Sequence, residues 1–332
     1  MPDPKGATHW RPTAALETLR LRAELMARVR GFLGGRGVLE VDTPLLSRFA
    51  ATDPALDSFL THYVGPGDAR GLPLFLQTSP ECFMKRLLAS GSGPIYQLAH
   101  VFRNGESGRR HNPEFMMLEW YRPGIDHHGL MDEVEELVEF SLKGFFRYRS
   151  ARRLSYRQWF EEFTGLDPLV DDIAALRRFV QAHIGPPPEG MPEAQINPWL
   201  DLVVTHWIEP RLGDETWLVY DFPASQAALA RVRQDALPVA ERFELYMNGM
   251  ELANGFHELA DAAEQRLRFS TDNRLRAASG LPPMSADEHL LAALTAGLPD
   301  SSGVALGFDR LVMVAAGLSD VDVAMPFALR GV

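Results

Sequence analysis

Apolar residues recur along the chain at two spacings, one helical and one alternating. The first helical pattern stops at Gly34-Gly35, and its apolar positions are Leu21, Leu25, Val29 and Phe32. A second helix is predicted from Leu130, Val134, Leu137, Val138 and Leu142, and a last one over residues 309–313. Short apolar runs predict strands at residues 38–42, 95–103, 115–121, 217–222 and 302–308. Strands from end to end with helices inserted favour an α+β fold with a mostly antiparallel sheet.

A β-hairpin centred on Asn248-Gly249 is the clearest local prediction. A two-residue turn fixes the pairing, so we expect Tyr246 opposite Glu251. Two residues further from the turn, Glu244 would face Ala253. Glu244 and Glu251 would then be diagonal neighbours on one face, roughly 7 Å apart at the backbone. Two carboxylates at that distance suit magnesium, which prefers oxygen ligands and bridges nucleotide phosphates, but a solvent-facing polar strand is the alternative.

The extended segment after the hairpin continues with polar residues on one side. Asn254, Phe256 and Glu258 share that side and give an amide, an aromatic wall and a charge in series. Such a set is unusual for a solvated edge, and it indicates a binding surface.

Composition and charge narrow the possible function classes. The 332 residues carry a formal net charge of −11 at pH 7, which argues against the broad basic surface of a general nucleic-acid binder. Cys82 is the sole cysteine, which excludes an intrachain disulfide and a cysteine-based metal cluster, and we interpret it as a buried neutral thiol. Met1 to Arg11 lacks an apolar signal core, and the longest apolar run, Leu311 to Ala316, is far too short to span a bilayer. We therefore expect a soluble, cytoplasmic protein.

The common phosphate-binding loops do not occur in the sequence. There is no G-x-x-x-x-G-K, and Gly35-Arg36-Gly37 and Gly65-Pro66-Gly67 are predicted to be turns. If the protein binds ATP, arginines on strands must hold it. Arg103 and Arg110 flank a polar loop between two predicted strands, and a guanidinium fork can neutralise an α-phosphate and a carboxylate together.

Aromatic and titratable residues in and after this loop are further candidates for a binding site. Phe115 can stack on adenine, but a core position explains it equally well. Glu119 and Tyr121 alternate with apolar residues and offer a carboxylate and a hydroxyl on one face. His127-His128 has no carboxylate or histidine at helical metal spacing, so we predict a loop pair.

Several ordered segments together resemble the catalytic core of the class II aminoacyl-tRNA synthetases, specifically the lysyl branch. Residues 36–44 (RGVLEVDTP) resemble motif 1, residues 102–121 (FRN, then RHNPEF and EWY) resemble motif 2, and residues 303–311 (GVALGFDRL) resemble motif 3. Residues 78–81 (TSPE) and 251–258 (ELANGFHE) match as well. The resemblance implies a class II core with a mostly antiparallel sheet flanked by helices, and an enzyme that activates an amino acid with ATP. Motif 1 further implies a homodimer.

The resemblance assigns roles to individual residues. Arg103 and Arg310 would be catalytic, and Glu244 and Glu251 would carry Mg²⁺, in agreement with the hairpin. The implied ATP-binding residues are Arg103, Asn104, Glu106, His111, Asn112, Phe115, Glu244, Glu251 and Arg310. The implied residues of the amino-acid pocket are Ser79, Glu81, Glu119, Tyr121, Asn254, Phe256, Glu258 and Ala305.

Three departures from the lysyl-tRNA synthetase pattern change the expected acceptor and substrate. Only 43 residues precede Pro44, so an N-terminal anticodon-binding barrel is not expected. Ala305 stands where those synthetases have glycine, and Gly105 replaces a motif 2 glutamate, for which Glu106 is the candidate substitute. This pattern resembles the elongation factor P–lysine ligase family, whose members attach (R)-β-lysine, through its adenylate, to the ε-amine of a lysine on elongation factor P.

Two alternatives stay open: a minimal lysyl-tRNA synthetase-like enzyme with another acceptor, and a catalytically silent regulatory paralogue. The acidic charge weighs against tRNA, and the presence of both phosphate arginines and both magnesium carboxylates weighs against a silent protein. We expect residues 1–332 to form a single class II synthetase-like catalytic domain. Residues 150–210, with a break at Pro186-Pro187-Pro188, are predicted to be a helical insertion that carries little chemistry.

Overall fold

The fold is described for residues 10–331 by a computed structural model, so nearly all of the segment Met1 to Arg11 lies outside the described residues. The helices are α1 (Leu16–Gly35), α2 (Glu81–Ala89), α3 (His127–Leu142), α4 (Tyr156–Thr164), α5 (Ile173–His183), α6 (Asn197–Val203), α7 (Ala262–Ala278), α8 (Glu288–Gly297) and α9 (Phe308–Ala316). The strands are β1 (Leu39–Glu40), β2 (Leu46–Ser47), β3 (Leu60–Gly65), β4 (Asp68–Leu76), β5 (Ile95–Phe102), β6 (Glu114–Pro123), β7 (Arg152–Ser155), β8 (Thr216–Pro223), β9 (Val232–Arg233), β10 (Val239–Met247), β11 (Met250–His257) and β12 (Ser301–Gly307).

The main sheet has nine strands in the order β1-β5-β6-β12-β11-β10-β8-β7, with β9 paired to β10. β1 runs parallel to β5 and β7 runs parallel to β8, whereas the remaining pairs of this sheet are antiparallel. A second sheet joins β2, β4 and β3. The predicted α+β class with a mostly antiparallel sheet is thus confirmed.

Most predicted elements are present at or near their expected positions. The strand expected over residues 38–42 is reduced to Leu39–Glu40, because only these two residues pair with β5 before the chain turns away at Pro44. The loop pair predicted at His127-His128 is wrong, since both histidines lie in the first turn of α3, where the Asp126 side chain accepts a hydrogen bond from the Gly129 N–H and caps the helix. Residues 150–210 hold three helices, α4 to α6, which continue into a short π-helical turn.

Helices cover the two faces of the main sheet unequally. On one face, α1, α3 and α9 bury the largest apolar cluster, which includes Leu118, Phe243 and Leu306. On the other face, α4 to α6 cover the β8 end with Trp159 and Trp199. At the β5 end of that face, α2, α7 and α8 pack together. The middle of the face stays open and forms the floor of a cleft.

A buried ion pair fixes the start of α9 against the back of this cleft. Arg22 of α1 is bonded to Asp309, and the second oxygen of Asp309 accepts a hydrogen bond from the Met116 N–H at 2.7 Å. Because Asp309 precedes Arg310, this pair holds the backbone of Arg310 close to β6. Within residues 10–331, the helices lack the combination of length and apolarity that crossing a bilayer requires.

Candidate active site

The hairpin forms as predicted at its turn, but its register changes two residues away. Tyr246 pairs with Glu251 as expected, whereas Glu244 pairs with Asn254 and not with Ala253. The prediction was wrong at this pair because Leu252 has no partner opposite and forms a β-bulge. A one-residue bulge reverses the facing of the residues beyond it.

The bulge places Glu251 on the same face of the sheet as Asn254 and Phe256. Without it, Glu251 and Asn254 would point to opposite sides of β11, because facing alternates along a strand. With it, Ala253 turns into the core, and Asn254 and Phe256 line the cleft beside Glu244 and Glu251. The binding surface predicted from the two separate patterns is therefore continuous.

The cleft is a cavity of about 510 Å³, within the size range typical of small-molecule sites. With the exception of Asn104, every candidate residue borders it: Ser79, Glu81, Arg103, Glu106, His111, Asn112, Phe115, Glu119, Tyr121, Glu244, Glu251, Asn254, Phe256, Glu258, Ala305 and Arg310. Asn104 is exposed, and its amide donates to Asp57 Oδ2 at 2.7 Å. Asn112 borders the cavity, but its amide donates to the Glu114 carbonyl and its oxygen accepts from the Leu329 N–H, so it holds the wall of the site.

One end of the cavity is rich in arginine. The Arg103 guanidinium lies 5.1 Å from the centre of the Phe115 ring and 3.6 Å from Glu106 Oε1. Arg310 donates to the Glu251 carbonyl at 2.7 Å, and its Nη2 lies 2.9 Å from His111 Nε2. Burial, followed by the charge of Arg310, lowers the pKa of His111, so its Nε2 is an acceptor at neutral pH. Two arginines at one end of the cavity, one of them against an aromatic ring, suit a nucleoside triphosphate.

Three carboxylates lie close to arginines at this end of the cavity, those of Glu209, Glu244 and Glu251. Glu244 is buried and accepts hydrogen bonds from Arg242 and Tyr246. Burial, and then the charges of Glu251 and Glu244, raise the pKa of Glu209 to about 7 despite Arg110 at 3.5 Å. Burial also raises the pKa of Glu244, and Glu251 adds to that shift. An oxygen-only set of carboxylates that repel one another fits a hard cation such as Mg²⁺.

The other end of the cavity holds carboxylates that suit ammonium groups. Burial raises the pKa of Glu258 to about 8, although Lys85 opposes the shift. Lys85 Nζ lies 2.6 Å from Glu258 and 2.5 Å from Glu81. Tyr121 and Ser79 donate hydrogen bonds to the two oxygens of Glu119 at 2.7 Å and 2.8 Å.

Gly303 and Ala305 form the floor between the two ends. A Cβ atom at Gly303 would lie 2.3 Å from the Tyr121 ring and 2.5 Å from Glu258 Oε1, so only glycine allows both side chains to approach. Ala305 pairs with Asn254 on one side and Glu119 on the other, which places its methyl group between two pocket residues.

Four residues at this site were absent from the sequence-based set: Lys85, Glu209, Arg242 and Gly303. The spacing of Glu81 and Lys85, four residues apart on a helix, was an available signal for an ion pair. Gly303 stood inside the quoted motif 3. Glu209 lies inside the predicted insertion, residues 150–210, where little chemistry is expected, and its approach to Glu251 depends on how α4 to α6 pack. Cys82, by contrast, is partly buried, and burial raises the pKa of its thiol, so it is neutral as expected.

Glu119 makes the affinity for a cationic substrate dependent on pH. Burial, then the charge of Glu81, raise the pKa of Glu119 to about 7, so the carboxyl group is about half protonated at neutral pH in the free protein. An ammonium group beside it favours the ionised form, so binding should release a proton and tighten as the pH rises through 7. Below pH 7, we expect the KM for the amino acid to fall by up to roughly tenfold for each unit by which the pH is raised. Glu119→Gln should flatten that profile, and an unchanged profile in this variant would assign the dependence to another group.

A model of the class II tRNA synthetases (D, K and N) matches residues 5–330. The chain is 52% identical over 321 residues to the elongation factor P–(R)-β-lysine ligase of Edwardsiella ictaluri, which covers 96% of this chain and 97% of that protein. It is 50% identical over 323 residues to the ligase of the same name from Vibrio vulnificus, covering 96% and 98% of the two chains. With the ligase of that name from Klebsiella pneumoniae subsp. pneumoniae it shares 50% identity over 321 residues, or 96% of this chain and 97% of that one.

Proposed function

The chain belongs to the class II tRNA synthetase family (D, K and N), and from that premise we propose that it is an AMP-forming ligase that activates (R)-β-lysine and transfers it to the ε-amine of a lysine on elongation factor P. One observation carries the proposal: a single cavity joins an arginine- and carboxylate-lined end suited to Mg–ATP with an end where Glu81, Glu119 and Glu258 suit two ammonium groups. β-Lysine carries two ammonium groups and one carboxylate, which would lie between the two ends.

The first step would be an in-line attack of the amino-acid carboxylate on the α-phosphorus of ATP. A carboxylate oxygen forms a bond to phosphorus, the bond to the β-phosphate bridging oxygen breaks, and pyrophosphate leaves. Arg103 would neutralise the α-phosphate and the carboxylate together, and Arg310 would hold the γ-phosphate. When bound by Glu244 and Glu251, Mg²⁺ would supply neutralisation of phosphate charge.

The second step needs no nucleophile from this chain. The neutral acceptor amine attacks the adenylate carbonyl, AMP leaves with the bonding electron pair, and the amine loses a proton to form the amide. Catalysis would come from alignment and charge neutralisation. The neutral thiol of Cys82 is consistent with a mechanism without a covalent enzyme intermediate.

The remaining assignments extend this proposal. We infer a homodimer through the motif 1 region, where Leu39, Leu45 and Leu46 are each more than two-fifths exposed. We also infer that residues 1–332 form one catalytic domain with an insertion at about 150–210. A cytoplasmic location fits an ATP-consuming reaction on a translation factor.

Ala305 is the residue expected to set the preference between α- and β-lysine. Its methyl group lies between Asn254 and Glu119 and occupies space beside the expected position of an α-amino group. Ala305→Gly should improve the use of α-lysine relative to β-lysine by roughly 10-fold or more, because one methyl group changes discrimination by roughly 1–3 kcal/mol. Pyrophosphate exchange with α-lysine and both β-lysine enantiomers measures this ratio, and unchanged selectivity would show that Ala305 does not set the preference.

The function itself is tested with the intact mass of elongation factor P. Incubation with enzyme, ATP and (R)-β-lysine should add the mass of one β-lysyl group, and omission of ATP should prevent the gain. Pyrophosphate exchange without a mass gain would indicate adenylate formation for another acceptor, such as tRNA. Absence of both exchange and mass gain would indicate a catalytically silent paralogue.

A further inference from the structure

A second cluster of ligating side chains lies on the face of the main sheet that is turned away from the cleft. His127 in the first turn of α3, Glu241 on β10 and His257 at the end of β11 converge there. All three are buried, and one potential ligand atom of each lies within 4.8 Å of the others. The partners of His127 were not visible in the sequence because they come from strands far along the chain.

His127 is the residue that points to a missing ligand. Its side chain is only 3% exposed, and among the described residues neither ring nitrogen has a hydrogen-bond partner. The nearest carboxylate oxygen, Asp221 Oδ1, lies 3.5 Å from Nε2, which is too far for a hydrogen bond of good geometry. A buried imidazole with two unpaired nitrogens costs free energy, which coordination of a cation would recover.

The groups around the cluster match those that commonly support metal-bound histidines. His257 Nδ1 lies 2.7 Å from Glu241 Oε2, and its Nε2 lies 2.9 Å from Asp300 Oδ1. A metal-ligating histidine usually keeps a carboxylate or carbonyl on its other nitrogen, which is the position that Asp300 occupies. Asp221 Oδ1 lies 3.5 Å from His127 Nε2, and Arg233 donates to the other oxygen of Asp221 at 2.7 Å.

The charges around the cluster favour the binding of a cation. The carboxylates near the two histidines belong to Asp126, Asp221, Glu241 and Asp300, and the arginines are Arg231 and Arg233. Four carboxylates against two guanidinium groups leave a negative excess around two imidazoles.

We propose that His127, Glu241 and His257 bind one divalent transition-metal ion, with Zn²⁺ the best match. Two imidazoles and one carboxylate are a common zinc set, whereas Mg²⁺ and Ca²⁺ prefer sites built mainly from oxygen. Tetrahedral coordination at about 2.1 Å places ligand atoms roughly 3.4 Å apart, so His257 Nδ1 and Glu241 Oε2, which lie 2.7 Å apart, would separate slightly to admit the ion. A water molecule or Asp221 would complete the coordination.

The ion would act as a clamp and would take no part in the ligase chemistry. It would tie the start of α3 to β10 and β11, and Glu258, which follows His257 in the chain, borders the amino-acid pocket on the opposite face. The metal would therefore fix the backbone behind Glu258 as well as the helix.

Zinc binding to the full-length protein tests the proposal directly. The protein is stripped with a chelator and titrated with ZnCl₂ in the presence of millimolar Mg²⁺, which occupies the carboxylates of the ATP end. One equivalent should bind, the thermal unfolding midpoint should rise on zinc addition, and X-ray absorption at the zinc edge should report two imidazole ligands. An oxygen-only shell, or no stoichiometric zinc, would overturn the proposal.

The adjacent histidine provides a matched control. His127→Leu should lower zinc affinity by at least tenfold and abolish the zinc-dependent rise in the unfolding midpoint, whereas His128→Leu, which removes an exposed histidine outside the cluster, should leave both unchanged. If His127→Leu binds zinc as tightly as the His128→Leu control, the proposal is wrong. The absorption measurement on the unmodified protein decides the question if the leucine variant fails to fold.

Discussion

Arg103→Ala is expected to slow adenylate formation by roughly 10³-fold while leaving the protein folded. The Arg103 side chain is about a quarter exposed and borders the cavity, and its guanidinium lies 3.6 Å from Glu106 Oε1, so its loss removes little from the fold. It faces the ring of Phe115 at 5.1 Å, which holds the guanidinium plane where an α-phosphate would bind. Since this charge matters most when negative charge accumulates on the phosphorus, kcat should fall more than the KM for ATP rises.

Pyrophosphate exchange with saturating ATP and β-lysine measures this effect. Arg103→Lys keeps the charge but loses the planar fork, and it should recover only part of the rate. Arg109→Ala is the matched control, because Arg109 belongs to the same loop, is exposed and does not border the cavity. Its exchange rate should stay within about twofold of the parent, as for a surface charge away from the site. Equal rates for the two alanine variants would remove Arg103 from the mechanism.

The hairpin illustrates how far local sequence rules extend. Asn248-Gly249 correctly predicted the turn and the pair Tyr246–Glu251, because a two-residue turn determines the first pairs on its own. The bulge at Leu252 depends instead on tertiary packing, since Leu252 and Ala253 are both buried against the helices of the back face. That packing involves α3 and α9, which no local rule includes. The two carboxylates were therefore placed on one face correctly, but for a register that the protein does not adopt.

The same limit explains the residues that the sequence did not reveal. The pocket residues lie within short motifs whose strands pair with one another, so resemblance to class II cores identified them together. Glu209 approaches Glu244 and Glu251 only because α4 to α6 fold back over the sheet, and His127 meets Glu241 and His257 only through α3 packing. Contacts between segments that lie far apart along the chain leave no local pattern in a single sequence.

Charge balance at the amino-acid end makes Lys85 the residue whose loss should cost the most stability. Its side chain is 2% exposed, and its ammonium group lies 2.5 Å from Glu81 and 2.6 Å from Glu258. Burial alone would lower the pKa of Lys85, but the charges of Glu258 and Glu81 outweigh it and raise the pKa above its ordinary value, so the ammonium is charged. The free pocket thus contains a built-in cation between two carboxylates that the substrate ammonium groups would approach.

Lys85→Met should destabilise the protein by about 3–5 kcal/mol, because methionine matches the length of lysine but leaves two buried carboxylates without their counter-charge. Denaturant unfolding measures the loss as a lower midpoint at an unchanged m-value. The double variant Lys85→Met/Glu258→Gln removes one of the stranded charges, so it should be more stable than Lys85→Met alone, with a coupling energy above about 1 kcal/mol. Additive losses would mean that Lys85 acts only by filling space. If the coupling is present, the KM for the amino acid in Lys85→Met separates the two roles of the lysine: a rise shows that it positions Glu258 for the substrate, whereas an unchanged KM confines it to the fold.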